Sequence, residues 1–333
     1  MSVGWDHVCG RFATFLLSLQ PAPEEQRAAR VAAASVADLL DRLFRRPDRD
    51  GPANGDSFHV IGGHSKGTAV RPAKTIDLLY VLPDRLRSEA GPRRDGRIGD
   101  LTPLGRDMLG VLSLRYAAVK MAREGWLAVS VDRRDGDPIG VRVVPAFACG
   151  SGGYLIAAHG LGPGRGPWRH ADPAAEGVAL RRADAMSGGK ASHLVRMGKV
   201  WRTANAVPMG AFALELLAVE FVTLWTYQRR SLLFYDWLVR DFFFWLSAQA
   251  GRELDVPGGW QALDTGDGWA SAAEEAYERA AAAAALERDN RADEALSLWR
   301  QLFGARFDDP LRPPPALGAW PWQPDETTIA ATG

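Results

Sequence analysis

The sequence is short of cysteine, of net charge and of long apolar runs, and each shortage narrows what it can be. Only Cys9 and Cys149 occur in 333 residues, so a disulfide framework is excluded and a reducing, cytoplasmic setting is expected. Forty basic residues face forty acidic ones, and that balance argues against a dedicated duplex-DNA binder, which carries a basic excess. The most apolar stretch, Ala206 to Trp225, is broken by Pro208, Glu215 and Glu220; the next, Leu232 to Ala248, is broken by Asp236, Arg240 and Asp241. Neither offers the roughly 20 uninterrupted apolar residues of a membrane span. Asp6 and Arg11 interrupt Met1 to Phe12, so no secretory leader is expected. The histidines His7, His59, His64, His159, His170 and His193 show no paired spacing for zinc. What remains is an ordinary globular composition, 47% apolar and 24% charged, long enough for two domains or lobes.

Periodicity predicts a helix from Pro23 to Phe44, with Glu24 and Glu25 at its positive end and Val31, Val36, Leu39, Leu40, Leu43 and Phe44 as its apolar stripe. Strands are expected at Phe58–Ile61 and Ile76–Leu82, and a helix at Met108–Glu124. A hairpin of Trp126–Val131 and Ile139–Val144 turns near Asp135-Gly136. Asp84 to Gly99 reads as a charged loop, and Gly150 to Pro173 as an irregular crossing segment. Helices then dominate: Ala191–Arg202, Gly210–Gln228, Leu232–Ala248, Trp269–Asp289 and Arg291–Leu302. The change of composition places a boundary near residue 180. Asp308 to Gly333 holds six prolines without periodicity and reads as an extended tail.

One constellation suggests chemistry. Gly62-Gly63-His64-Ser65-Lys66-Gly67-Thr68 follows a strand, and Thr75-Ile76-Asp77-Leu78-Leu79 forms the next. A tight glycine turn opening a short helix can present backbone N–H groups to phosphates, and carboxylates on the following strand can hold metal ions. Alone, the Gly-Gly pair is equally read as a bend needing positive φ. His64 is either a phosphate contact or simply an exposed turn residue. The aromatic series Trp225, Phe234, Trp237, Phe242, Phe244 and Trp245 reads as helix-bundle core or as base-stacking surface.

These motifs resemble those of the bacterial CD-NTases, the cGAS/DncV-like nucleotidyltransferases of the polymerase-β-like superfamily. The family turn Gly-Ser-x-x-x-Gly-Thr is echoed by Gly62 to Thr68, and its Asp-h-Asp-h-h strand (h apolar) by Thr75 to Leu79. Its Val-Asp-Val-Val-Pro-Ala strand is echoed by Val141-Arg142-Val143-Val144-Pro145-Ala146. Trp168 to Pro173 resembles its Trp-x-x-x-Asp-Pro, and Lys199-Val200-Trp201 its spine helix, with Leu214-Glu215 following. Trp299-Arg300, Phe303-Gly304 and Phe307 resemble its terminal helix. The resemblance implies an α+β, two-lobed polymerase-β-like nucleotidyltransferase fold with a mixed-sheet N-lobe and a helical C-lobe. Residues 1–180 would form the nucleotidyltransferase-like core with N-terminal helices, 181–307 the helical lobe, and 308–333 a Pro-rich flexible tail.

The departures concern chemistry. Of three family carboxylate positions only Asp77 keeps one; Thr75 and Arg142 occupy the others. Gly63 replaces the turn serine, and Ala211 a second phosphate-contacting serine. Lys199, which grips triphosphate in the family, is retained. A guanidinium about 5 Å from Mg²⁺, at an effective dielectric of about 20, costs roughly 6–7 kcal/mol as an upper bound. Arg142 either swings to solvent or pairs with Asp77 where a metal would sit. No carboxylate is expected opposite it, because the hairpin register sets Val129 and Ser130 there.

The resemblance thus implies a CD-NTase-like protein of antiphage defence, without catalysis, acting by binding nucleotide or a partner protein. Nucleotide-binding candidates are Gly62, Gly63, Ser65, Lys66, Thr68 and Lys199. The ligand would be a nucleoside triphosphate or a cyclic oligonucleotide; the partner, a defence protein or an active CD-NTase. No cofactor is expected. The alternative is an active nucleotidyltransferase making cyclic or linear oligonucleotides, with Mg²⁺ or Mn²⁺ on Asp77. In some relatives the C-terminal residue is conjugated, which would fall on Gly333.

Overall fold

The computed structural model describes residues 3–45, 57–87, 103–121, 127–133, 136–157 and 168–307. The tail with Gly333, most of the charged loop after Asp84, and Asp135 lie outside them.

The chain opens with two helices, α1 (Val3–Leu19) and α2 (Pro23–Phe44). Helix α2 begins as its sequence dictates: Pro23 stands in the first turn and the Glu25 carboxylate accepts from the Ala22 N–H at 2.7 Å. Its buried face, from Ala29 through Val36 and Leu40 to Phe44, lies on the central sheet. Strand β1 (Phe58–Ile61), a single turn α3 (Gly62–Ser65) and β2 (Thr75–Val81) follow, then α4 (Pro103–Arg115), β3 (Ala118–Met121), β4 (Leu127–Val131), β5 (Ile139–Ala148), β6 (Tyr154–Ala157) and β7 (Trp168–Ala171). The sheet runs β1-β2-β5-β4-β3, with β6 and β7 continuing antiparallel from β5. Only β2 and β5 are parallel among these pairings, so the sheet is mixed. Alternation sends Ile76, Leu78 and Tyr80 toward α2 and leaves Asp77 on the other face with Leu79 and Val81.

Helices α5 (Pro173–Ser187), α6 (Lys190–Ala204), α7 (Ala211–Leu224), α8 (Tyr235–Ser247), α9 (Ala270–Arg288) and α10 (Ala292–Phe303) make the second layer, with a small ribbon of β8 (Glu253–Leu254) and β9 (Leu263–Asp264). Their shared core buries Trp201, Trp269, Trp299 and Phe303. The aromatic series divides: Phe242 and Trp225 are buried in this core, whereas Phe244 is 62% exposed. Helix α1 belongs to this core. Val8, Phe12, Phe15, Leu16 and Leu19 are buried within it, and Phe12 meets Trp299 edge-on at 5.3 Å. Among the described residues no helix is long and apolar enough to cross a membrane.

Three expectations need correction. The helix expected over Met108–Glu124 stops at Arg115, and Ala118–Met121 is an edge strand on β4. Its Ala, Lys and Met composition suits a helix, but alternation and pairing of Val119 with Val129 decide otherwise. Gly150 to Pro173 is not irregular throughout, since it contributes β6 and β7. Four-residue strands are too short to show a period. Helix α5 was not foreseen, although Asp172 caps it by accepting from the Ala174 and Ala175 N–H groups at 3.0 and 2.9 Å. Residue 180 falls in the middle of that helix, with Leu180 in the helical core.

Candidate functional site

The glycine turn and the Asp77 face meet where the two layers join. Gly62 has φ +66°, and a Cβ there would collide with Asp77 Oδ2. Glycine is required twice over, for conformation and for closeness. The turn closes on itself, with the Thr68 and Ala69 N–H groups donating to the Gly63 carbonyl at 2.8 and 2.9 Å. A side chain at Gly63 would crowd its neighbours: a Cβ would lie 3.2 Å from the Ala69 backbone and 3.3 Å from Lys199 Nζ.

Lys199 comes from α6 and donates to both the carbonyl and the hydroxyl of Thr68 at 3.0 Å. Burial lowers its pKa to about 8, opposed by Glu215 and Asp77 and reinforced by Lys66. The cation expected to grip phosphate thus stands at the turn. Thr68 is fully buried and holds Lys199, so it acts within the scaffold. Ser65 is exposed, its hydroxyl donating to the Gly62 carbonyl at 3.0 Å. Among the described residues His64 Nε2 is buried without a hydrogen-bond partner. Burial lowers the His64 pKa, with Asp77 opposing and Arg30 and Lys199 adding to the effect.

Lys66 departs from its expected role. Its side chain is only 4% exposed and bridges Glu176 of α5, at 2.9 Å, to Glu215 of α7. The Phe212 ring lies 4.9 Å from its ammonium. Burial alone would lower its pKa, yet the two carboxylates raise it on balance. Lys66 therefore ties the turn to the helices, together with Arg196 of α6, which donates to the Gly67 carbonyl at 2.6 Å. Sequence reading missed Glu176, Glu215 and Arg196 in this capacity. Glu176 lies 110 positions from Lys66, and no local pattern links them.

On the sheet, Thr75 and Asp77 point the same way, and the parallel register sets Gly140 beside Thr75 and Arg142 beside Asp77. Arg142 Nε donates to Asp77 Oδ1 at 2.7 Å, the two side chains being 44% and 21% exposed. The antiparallel neighbour of Arg142 is Ala128, one position before the expected Val129; the hairpin register is shifted, and still no carboxylate faces Arg142. Asp137 pairs instead with Lys74 at 2.9 Å.

A two-metal site needs several anionic oxygens converging on each ion. Here the three aligned positions carry a hydroxyl, one carboxylate and a guanidinium lying on that carboxylate. Among the described residues no group of three His, Cys, Asp or Glu side chains could hold a metal ion. The donor set does not fit such a pair of ions.

No family model matches the chain, and no curated protein does. Solved structures do. Escherichia coli MS115-1 CdnC with ATP superposes with a TM-score of 0.59 at 16% identity, covering 91% of this chain and 98% of that one. CdnC in its complex with HORMA-deltaN gives 0.58 at 16% identity, over 90% and 98%. The Vibrio cholerae DncV cyclic AMP-GMP synthase, in complex with the linear intermediate pppA(3′,5′)pG, gives 0.55 at 13% identity, over 91% and 89%. The fold is thus shared across almost the full length of these proteins, and the chain has the two-lobed CD-NTase-like fold.

Proposed function

We propose that the protein is a pseudo-nucleotidyltransferase: it binds a nucleoside triphosphate or a related oligonucleotide in the cleft between sheet and helices without transferring nucleotidyl groups. The observation that carries this reading is the Arg142–Asp77 pair, which sets a fixed cation on the one carboxylate left at the metal positions. Supporting it, the glycine turn and Lys199 keep a geometry able to meet phosphate, while the scaffold around them is intact. Positive groups at the cleft supply charge toward an anionic ligand without a metal ion. That CdnC is found with ATP and with a HORMA protein makes nucleotide and partner protein the two classes of ligand to test, in a setting of antiphage defence.

The test measures incorporation of radiolabelled nucleoside triphosphates with Mg²⁺ and with Mn²⁺, beside triphosphate binding in the presence of EDTA. No product, with binding that persists in EDTA and falls in Lys199→Ala, is the expected result. A Thr75→Asp/Arg142→Asp double variant should regain metal-dependent nucleotide binding. Product from the natural chain that Asp77→Ala abolishes would overturn the proposal in favour of an active synthase of cyclic or linear oligonucleotides. Absence of triphosphate binding would leave a partner protein as the ligand.

A further inference from the structure

Away from the cleft, α8 and α9 enclose a cavity of about 710 Å³ to which Val8 of α1 contributes. Pockets for small organic ligands span about 300–1,000 Å³. Phe244 and Tyr277 line it with ring centroids 5.1 Å apart, and the small residues Ala281, Ala284 and Ala285 leave it open. Asp236, in the first turn of α8, also lines it and is only 2% exposed. Among the described residues its Oδ1 has no hydrogen-bond partner. A buried acceptor left in that state is costly and calls for a donor.

The surrounding charges are matched in pairs. On α8, Arg240 holds Asp241 at 2.7 Å. From α9, Arg288 holds Asp289 at 3.2 Å, and Glu287 is held by Arg11 of α1 at 3.0 Å. Among the described residues no ion pair is formed by Asp236 itself, so with Asp236 ionised the described group is one positive charge short. An anion would meet Asp236 unfavourably, and a neutral ligand would leave it unmatched.

We infer that this cavity binds a small organic ammonium ion, which pairs with the Asp236 carboxylate while its apolar body lies against Phe244 and Tyr277. The aromatic rings favour a cation through their π faces. Burial pushes the Asp236 carboxyl up to about 7, with the Trp237 backbone N–H and Arg240 opposing and Glu287 adding to the rise. An aliphatic amine stays protonated to about pH 10. Affinity therefore increases from about pH 6 to about pH 8, as Asp236 ionises while the ligand keeps its charge.

The test is calorimetric titration of the full chain with 2-phenylethylamine, using 2-phenylethanol as the uncharged match and adenine as a neutral heterocycle. The amine should bind at least about tenfold more tightly than the alcohol, an interval set by one charge-assisted hydrogen bond. Asp236→Asn should remove that advantage and the pH dependence together. Ala281→Trp, at a half-buried position of the lining, should abolish binding in a protein whose circular dichroism and melting remain cooperative. Equal affinity for amine and alcohol, tighter binding of adenine, amine binding that survives both variants, or no amine binding at about pH 8 would each overturn the assignment.

Discussion

Two ion pairs lie beside the glycine turn, and they differ in almost every physical respect. Lys66 with Glu176 and Glu215 is sealed between the layers, its ammonium 4% exposed. Arg142 with Asp77 lies on an open strand face, 44% and 21% exposed. The first is fixed by what would remain if it broke: two buried carboxylates stripped of the cation between them, with only the longer-range charges of Arg169 and Lys199 beside them. The second is replaceable, because water can take over either partner. The comparison teaches why a fold of this kind can vary the residues on its open strand face and keep its shape: the union of the two layers rests on buried positions instead.

Variants can break this contrast. Lys66→Met should cost the most, about 3–5 kcal/mol in urea unfolding, since Glu176 and Glu215 stay buried and lose the cation between them; a loss below about 1 kcal/mol would refute the sealed-strut reading. Gly62→Ala comes next, at about 2–3 kcal/mol, combining positive φ with the collision against Asp77. Gly67→Ala sharpens it, because φ is +69° there but nothing lies within 4 Å of an added Cβ, so about 1 kcal/mol is expected. Arg142→Gln should change stability by no more than about 1 kcal/mol. Measured by the same unfolding series, these variants should rank buried strut, crowded glycine, open glycine, exposed pair.

The same division explains what the sequence revealed. The Arg142–Asp77 pair was one of two readings the motifs allowed, the other sending Arg142 to solvent; the parallel register of β2 and β5 decides it. Helix α2 was legible in its bounds, having a proline and two glutamates at its start, but not in its buried face, where Ala29, Ala32, Ala33 and Ala37 pack while Val31 and Leu43 of the expected stripe are exposed. Strands β6 and β7 were not, since each spans four residues between glycine-rich segments. Lys66 was assigned to phosphate because its motif suggested so, while the carboxylates that claim it come from distant helices. Local spacing fixes what a strand presents; it says nothing of which remote side chain arrives to meet it.

The placement of α1 has a consequence for how this protein is made. Phe12, Phe15 and Leu16 need the faces of α9 and α10 to cover them, and Arg11 reaches Glu287 across 276 positions of chain. At about 5–20 residues per second, synthesis separates the emergence of these partners by tens of seconds. During that interval α1 has no finished surface to join. The helical lobe closes only when α9 and α10 arrive, so the aromatic seam that α1 completes is sewn long after α1 itself has been made.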